Sequence, residues 1–424
     1  MKRILIFSFI VTFILLSFFG KLYSKIPILP SFYTLDFFLL IGLFYVITTK
    51  TAYSKALGLI KSNFLLFILI PITIVYMFLA FLNGAPISII LFQGGFGVYI
   101  LFFLTLFFCV LEIDIDRFVK IVVFVIIAKL IYLLTFKFSD VVSVFNAVSR
   151  VRLNDQSSIA LMFLLLPILL VYGKKMNRIQ RVSLISFFVL TAIIIFHRTM
   201  WVGLFFEYLL IKYLRREDVL NIVIKVLVFF VIAFAAISFL PYGKVITNMF
   251  ADSAGIDEDR NTNARFLLSG KVIEDAFVNN NILGNGFGKE YKFTLYDLGL
   301  LDKEQKDAVY HGRHHNSVLS ILYFFGWFPF FFFIAGIIFV FRRINKYRQR
   351  NLISKELIIF ASAAFGMNFF ILTNVALETP YYSFYYWLFY AGIFAALYKI
   401  DTGLKQSNPI INNPTVQNGN KSNF

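Results

Sequence analysis

The chain is a succession of long apolar runs joined by short polar connections. Apolar runs lie near 4–19, 32–49, 64–82, 87–111, 118–138, 158–173, 182–197, 199–214, 219–240, 316–341, 355–374 and 381–398. A helix that crosses a bilayer needs about 20 mostly apolar residues, so these runs predict an all-α, polytopic membrane protein with about 12 transmembrane helices. Two segments depart from the pattern. From about 241 to 314 runs the only long hydrophilic loop, holding a helix-like stretch, NARFLLSGKVIEDAF, and then the turn-forming ILGNGFGKEY. The polar end, 405–424, is rich in Asn and cannot bury apolar area, which predicts a disordered tail after a single membrane domain, 1–404.

Composition agrees: 59% of residues are hydrophobic and only 15% charged, far from the balance of a soluble domain. A net charge of +17 would point to nucleic acid in a soluble protein. Here most Lys and Arg fall in short loops between apolar runs, so they read as topology signals and no nucleic-acid partner is expected. Lys174, Lys175, Arg178 and Arg181 form one cluster, and Arg342, Arg343, Lys346, Arg348 and Arg350 another. Placing both in the cytoplasm also puts Lys2, Arg3, Lys50 to Lys61, Arg215, Arg216 and both termini there, and the 241–314 loop outside. The opening MKR and its apolar stretch are read as the first helix, because no small-residue cleavage site follows. Cys109 is the only cysteine, which excludes an intrachain disulfide and a cysteine-based metal cluster.

On the outward side a basic residue is not explained by topology. The candidates are Arg150 and Arg152 in SRVRLNDQSS, Arg198 in the tight HRTMW turn, Arg265 in the large loop, and Arg313. Converging guanidinium groups suit a diphosphate, each making forked, charge-assisted hydrogen bonds to phosphate oxygens; anchoring at lipid headgroups is the alternative for each. All four histidines, His197, His311, His314 and His315, fall on the same side. Their spacing without nearby carboxylates or thiols argues for a general base rather than a metal site, with helix capping as the alternative role, and no cofactor is expected. Gly284, Gly286 and Gly288 alternate in LGNGFGK, which permits tight turns and close approach of a ligand, but no strand–helix unit makes this a nucleotide fingerprint. Asp114 and Asp116 in EIDIDR fall in a cytoplasmic loop, where they flank a helix. Glu207 and Lys129 are charges within apolar runs, where such residues normally mark function, and neither receives a role from the sequence.

These residues resemble the O-antigen ligase and O-antigen polymerase-like membrane glycosyltransferases. HNSVLSILYFFG, with His315, Asn316, nine residues and Gly326, resembles the family's H-[NSQ]-x9-G-x-x-[GTY] pattern, with Pro329 in its last position. HRTMWVGL resembles an R-x-x-x-L element, with Val202 in the leucine position. The passage from Arg265 to LGNGFGK is similar to the family's arginine, helix and L-x-G-x-G loop, without the usual tryptophan after the arginine. The three motifs occur in the family's order over the second half of the chain.

The resemblance implies a metal-independent, inverting transfer at the periplasmic face of a bacterial inner membrane. The donor would be an undecaprenyl-diphosphate-linked glycan and the acceptor a glycan or lipid A core, for O-antigen, lipopolysaccharide or capsule. It further implies that Arg198 and Arg265 bind the donor diphosphate and that His315 orients or deprotonates the acceptor hydroxyl. Arg150 and Arg152 would support the phosphates, and His314, Asn316 and Gly286 would complete the substrate site. A lipid-linked-oligosaccharide flippase or secondary transporter would show a similar number of helices. It would place its binding groups near the bilayer midplane, often in repeated halves, and no repeat is visible here.

Overall fold

A computed structural model describes the chain except at residues 25, 30–31, 137–155, 196–197, 220, 222, 224–259, 280, 289–291, 295–308, 312–315, 373, 375, 378 and 408–424. The described residues are overwhelmingly helical. In chain order they form α1 (Lys2–Phe19), α2 (Lys21–Ser24), α3 (Thr34–Thr48), α4 (Lys50–Ser62), α5 (Phe64–Phe67), α6 (Leu69–Leu82), α7 (Ile87–Val98), α8 (Leu101–Glu112) and α9 (Ile115–Phe136). There follow α10 (Gln156–Tyr172), α11 (Arg178–Ile195), α12 (Arg198–Leu214), α13 (Arg260–Phe277), α14 (Ser317–Phe325), α15 (Trp327–Gln349), α16 (Lys355–Ile371) and α17 (Pro380–Ser407). Two short antiparallel ribbons accompany them. β1 (Pro27–Leu29) pairs with β2 (Phe32–Tyr33), and in the long loop β3 (Lys292–Thr294) pairs with β4 (Val309–His311), Lys292 opposite His311.

By length and composition, 5 helices among the described residues can each cross a membrane: α1, the α5–α6 stretch, α9, α10 with its following turn, and α15. Counting each of two bent pairs as one span, α3 with α4 and α7 with α8, gives up to 7. The runs expected at 182–197, 199–214, 355–374 and 381–398 are helical too, as α11, α12, α16 and α17. The run at 219–240 lies almost wholly outside the described residues. Large apolar side chains such as Phe7, Phe78, Phe124 and Phe136 are exposed on the outer surface, an arrangement suited to lipid and a liability in water. The chain is a helical membrane protein.

The core is built by helices that are apolar on every side, as expected of buried elements. In α10 every residue from Ile159 to Leu165 is buried, and in α17 almost every residue from Tyr381 to Leu397. α16 packs on α10, α12 and α17, while α17 also packs on α8. Between α12 and α16 the backbones come close: a Cβ on Gly203 would lie 2.7 Å from the Gly366 carbonyl oxygen. Small residues at such a crossing allow the tight packing that replaces hydrophobic driving force in lipid.

Hydrogen bonds and ion pairs gather the sequence's basic segments at one end of the bundle. Lys2 pairs with Glu112 at 2.6 Å and Lys399 with Glu356 at 2.8 Å. The Arg216 guanidinium donates to the Arg348 carbonyl at 2.7 Å, Arg348 to the Tyr213 carbonyl at 2.8 Å, and Arg215 to the Leu170 carbonyl at 2.6 Å. Tyr172 donates to Asp116 at 2.7 Å, so this aspartate, expected in a loop, lies in the first turn of α9 and ties it to α10. The segment 50–61, expected as a loop at this end, is instead the helix α4, bent 106° from α3. Lys50, Lys55 and Lys61 lie along it and Ala52, Ala56 and Leu59 are buried beneath, the pattern of a helix lying along a membrane surface.

Candidate functional site

The opposite end holds the segments that carry the sequence's candidate chemistry. The run expected as one helix over 316–341 is two helices, α14 and α15, broken at Gly326. With 9 residues, α14 is about 14 Å long and cannot cross a core of about 30 Å, whereas α15, at 23 residues, can. Asn316 caps α14: its side-chain oxygen accepts from the backbone N–H of Val318 and of Leu319, both at 3.0 Å, satisfying two of the free donors of a helix start. Gly326 ends it with φ 79°, a conformation open to glycine and costly for other residues. The nine-residue spacing between Asn316 and Gly326 is therefore the length of one short capped helix.

Against that break docks the long loop. Trp327 N–H donates to the Ile282 carbonyl at 3.0 Å, Asn285 N–H to the Tyr323 carbonyl at 2.7 Å, and Gly286 N–H to the Phe324 carbonyl at 3.0 Å. A Cβ on Gly326 would lie 2.0 Å from the Ile282 oxygen, so backbone touches backbone here. Gly286 has φ 70°, and its N–H is used in docking the loop. Tyr76 donates to the Leu283 carbonyl at 2.5 Å, and Gly288 N–H to the Gln93 side chain at 2.6 Å. Asp275 accepts from Asn281 at 3.1 Å and Asn285 at 2.9 Å, and the Trp327 indole donates to the Ala276 carbonyl at 2.9 Å. Val272 and Ala276 of α13 bury against Leu322 of α14. The helix that carries Arg265 is in this way fixed to the helix that follows His315.

A second set of bonds joins α12 to α14. The Asn374 amide donates to the Thr199 hydroxyl at 3.0 Å and to the Phe370 carbonyl at 3.0 Å. The Asn374 carbonyl accepts from Ser317 N–H at 3.2 Å and from its hydroxyl at 3.1 Å. The Ser317 hydroxyl in turn accepts from the N–H of Ala376 at 2.8 Å and Leu377 at 3.0 Å. Thr199 follows Arg198 in the sequence, and Ser317 follows His315 and Asn316, so residues that adjoin two motifs far apart in sequence are bonded to Asn374, Ala376 and Leu377.

Of the predicted site residues, Asn316 and Gly286 are described in full. Arg198 starts α12 and Arg265 lies within α13, with only their backbones described, as is that of His311 in β4. Arg150, Arg152, His197, Arg313, His314 and His315 lie outside the described residues. The sequence reading missed Asn374, Thr199 and Ser317. Asn374 left one signal, an amide at the end of an apolar run, which hydropathy treats as a boundary.

The two intramembrane charges have different settings. Lys129 is buried in α9 and donates to the Phe18 carbonyl at 2.8 Å, serving the last turn of α1, where free carbonyls and the helix dipole favour a cation. Glu207 in α12 is completely buried, and neither of its carboxyl oxygens has a hydrogen-bond partner among the described residues. Compared with protein-family models and with curated proteins, the chain matches none.

Proposed function

We propose that this protein is a membrane glycosyltransferase of the O-antigen ligase and polymerase type, which transfers or polymerises an undecaprenyl-diphosphate-linked glycan. The observation that supports this reading is the convergence at one end of the bundle. The start of α12, beside Arg198, and the start of α14, beside His315, are bonded to the same segment through Thr199 and Ser317. The helix bearing Arg265 is docked on α14. An arginine turn, a large loop and a histidine motif in this order carry both groups that the proposed transfer needs.

In that reaction His315 takes the proton from the acceptor hydroxyl as its oxygen attacks the anomeric carbon. The bond between that carbon and the diphosphate breaks from the opposite face, inverting the centre, and undecaprenyl diphosphate leaves with its electron pair. Arg198 and Arg265 offset the charge that develops on the leaving diphosphate, with Arg150 and Arg152 in support. His314, Asn316 and Gly286 border the substrate, and the loop limits competing hydrolysis. No metal or cofactor takes part, and the acceptor is a second glycan or lipid A core.

Topology completes the proposal. In this proposal the twelve spans read from the sequence put the site and the 241–314 loop on the periplasmic side of a bacterial inner membrane and both termini and the 405–424 tail in the cytoplasm. Glu207 favours a second reading, a lipid-linked-oligosaccharide flippase or secondary transporter, because a buried carboxyl inside a membrane helix, with no partner among the described residues, normally marks a pathway. His315→Ala and Arg198→Ala separate the two. In full-length protein made at normal level, loss of the base lowers transfer by about 100- to 10,000-fold, and loss of the arginine by about 100- to 1,000-fold. Transfer retained in both variants overturns the glycosyltransferase reading.

A further inference from the structure

We infer that Asn374 is a positioning residue that sets the spacing between the diphosphate-binding arginine and the histidine base. The inference rests on the glycosyltransferase reading above. Asn374 lies just beyond the end of α16 and is bonded in two directions. Its side-chain amide reaches Thr199, the first residue after Arg198, at 3.0 Å, while its backbone carbonyl holds both donors of Ser317, two residues after His315, at 3.2 and 3.1 Å. A further bond from the same amide to the Phe370 carbonyl at 3.0 Å ties the junction to the last turn of α16.

These distances are ordinary for hydrogen bonds, and what matters is what they join. Arg198 is the first residue of α12, and in the sequence His315 stands two residues ahead of Ser317, the first residue of α14. Apolar packing alone would let the ends of α12 and α14 slide, because it is not directional. A hydrogen-bonded clasp fixes their register. The fully buried Ser317 adds to it by accepting from the N–H groups of Ala376 and Leu377, at the start of α14. Transfer requires the hydroxyl, the anomeric carbon and the leaving diphosphate to be in line, and an error of about 1 Å in such a geometry costs about 100-fold in rate. Asn374 touches neither reactant in this account and acts through Thr199 and Ser317.

The test uses purified full-length protein and an undecaprenyl-diphosphate-linked glycan extracted from the source membranes, with rate at saturating donor, donor KM and thermal midpoint measured together. Thr199→Val removes only the hydroxyl that receives the Asn374 amide, and Thr199→Ser keeps it. Thr199→Val and Asn374→Ala are each expected to lower the saturated rate by about 100-fold with KM nearly unchanged, and Thr199→Ser to stay near wild type. The double variant should be no slower than the slower single one, since both remove the same contact. The inference is overturned by a Thr199→Val enzyme at wild-type rate, by multiplying losses in the double variant, or by an equal loss in Thr199→Ser that follows the thermal midpoint. Its failure is separable from that of the reading beneath it. If His315→Ala and Arg198→Ala abolish transfer while Thr199→Val does not, positioning by Asn374 alone is wrong; if they leave transfer intact, the glycosyltransferase reading is wrong.

Discussion

Glu207 and Lys129 look alike in the sequence, each a charge within an apolar run, and the structure separates them. The Lys129 ammonium has the Phe18 carbonyl at 2.8 Å, so its burial is offset by a bond that serves the end of α1. Lys129→Met removes that donor and should destabilise the folded protein by about 1–3 kcal/mol, read as a lower thermal midpoint in detergent. Among the described residues Glu207 has no hydrogen bond to either oxygen, and a buried polar group in that state costs about 1–3 kcal/mol by mutational measures. Glu207→Leu should therefore raise the midpoint, and a lower one would mean that the carboxyl has a partner in the membrane-bound protein. A sequence carries no sign of which buried charge meets a carbonyl, because Phe18 and Lys129 are joined only by the fold.

At the scale of elements, α14 turns on its two ends. Gly326 combines φ 79° with a backbone oxygen where a Cβ would stand, so relaxation cannot be local. Gly326→Ala should separate the loop from α15 and cost more than the roughly 1 kcal/mol of an ordinary helix-cap change. Faster proteolysis within 278–290 at unchanged helix content would show this; an unaltered digestion pattern would argue against the docking. Hydropathy made the apolar runs legible almost to the residue: 64–82 covers α5 and α6, and 199–214 begins one residue after the start of α12. It could not reveal the break at Gly326, since SVLSILYFF and WFPFFFFIAG are equally apolar and a sliding window averages across one glycine. Nor could it reveal α4, whose amphipathic face shows only when lysines and alanines are placed on a helix rather than counted as a loop. Of the candidate site, the arginine turn, the loop and the histidine motif were legible as residue types in an order. Their junction at Asn374 was not, because it depends on the way α12, α14 and α16 end side by side.

For the whole molecule, the bonded basic end and the loop-bearing end give the bundle two chemically distinct faces, and proposed topology assigns each to one side of the membrane. Cys109 is fully buried, so single cysteines introduced in the 241–314 loop can be read without background. They should react with a membrane-impermeant maleimide in intact spheroplasts, while one placed at Lys175 should react only after lysis; the reverse pattern would invert the orientation. The central claim is that this protein makes a glycosidic bond by breaking a sugar–diphosphate bond rather than moving an intact lipid. It is tested most directly by reconstituting the purified protein in vesicles with lipid-linked glycan and acceptor extracted from the source membranes, and measuring free undecaprenyl diphosphate. The account predicts that undecaprenyl diphosphate appears one for one with transferred glycan, and that His315→Ala stops both. Lipid-linked glycan reaching the other leaflet with its diphosphate–sugar bond intact, and no free undecaprenyl diphosphate, would contradict it.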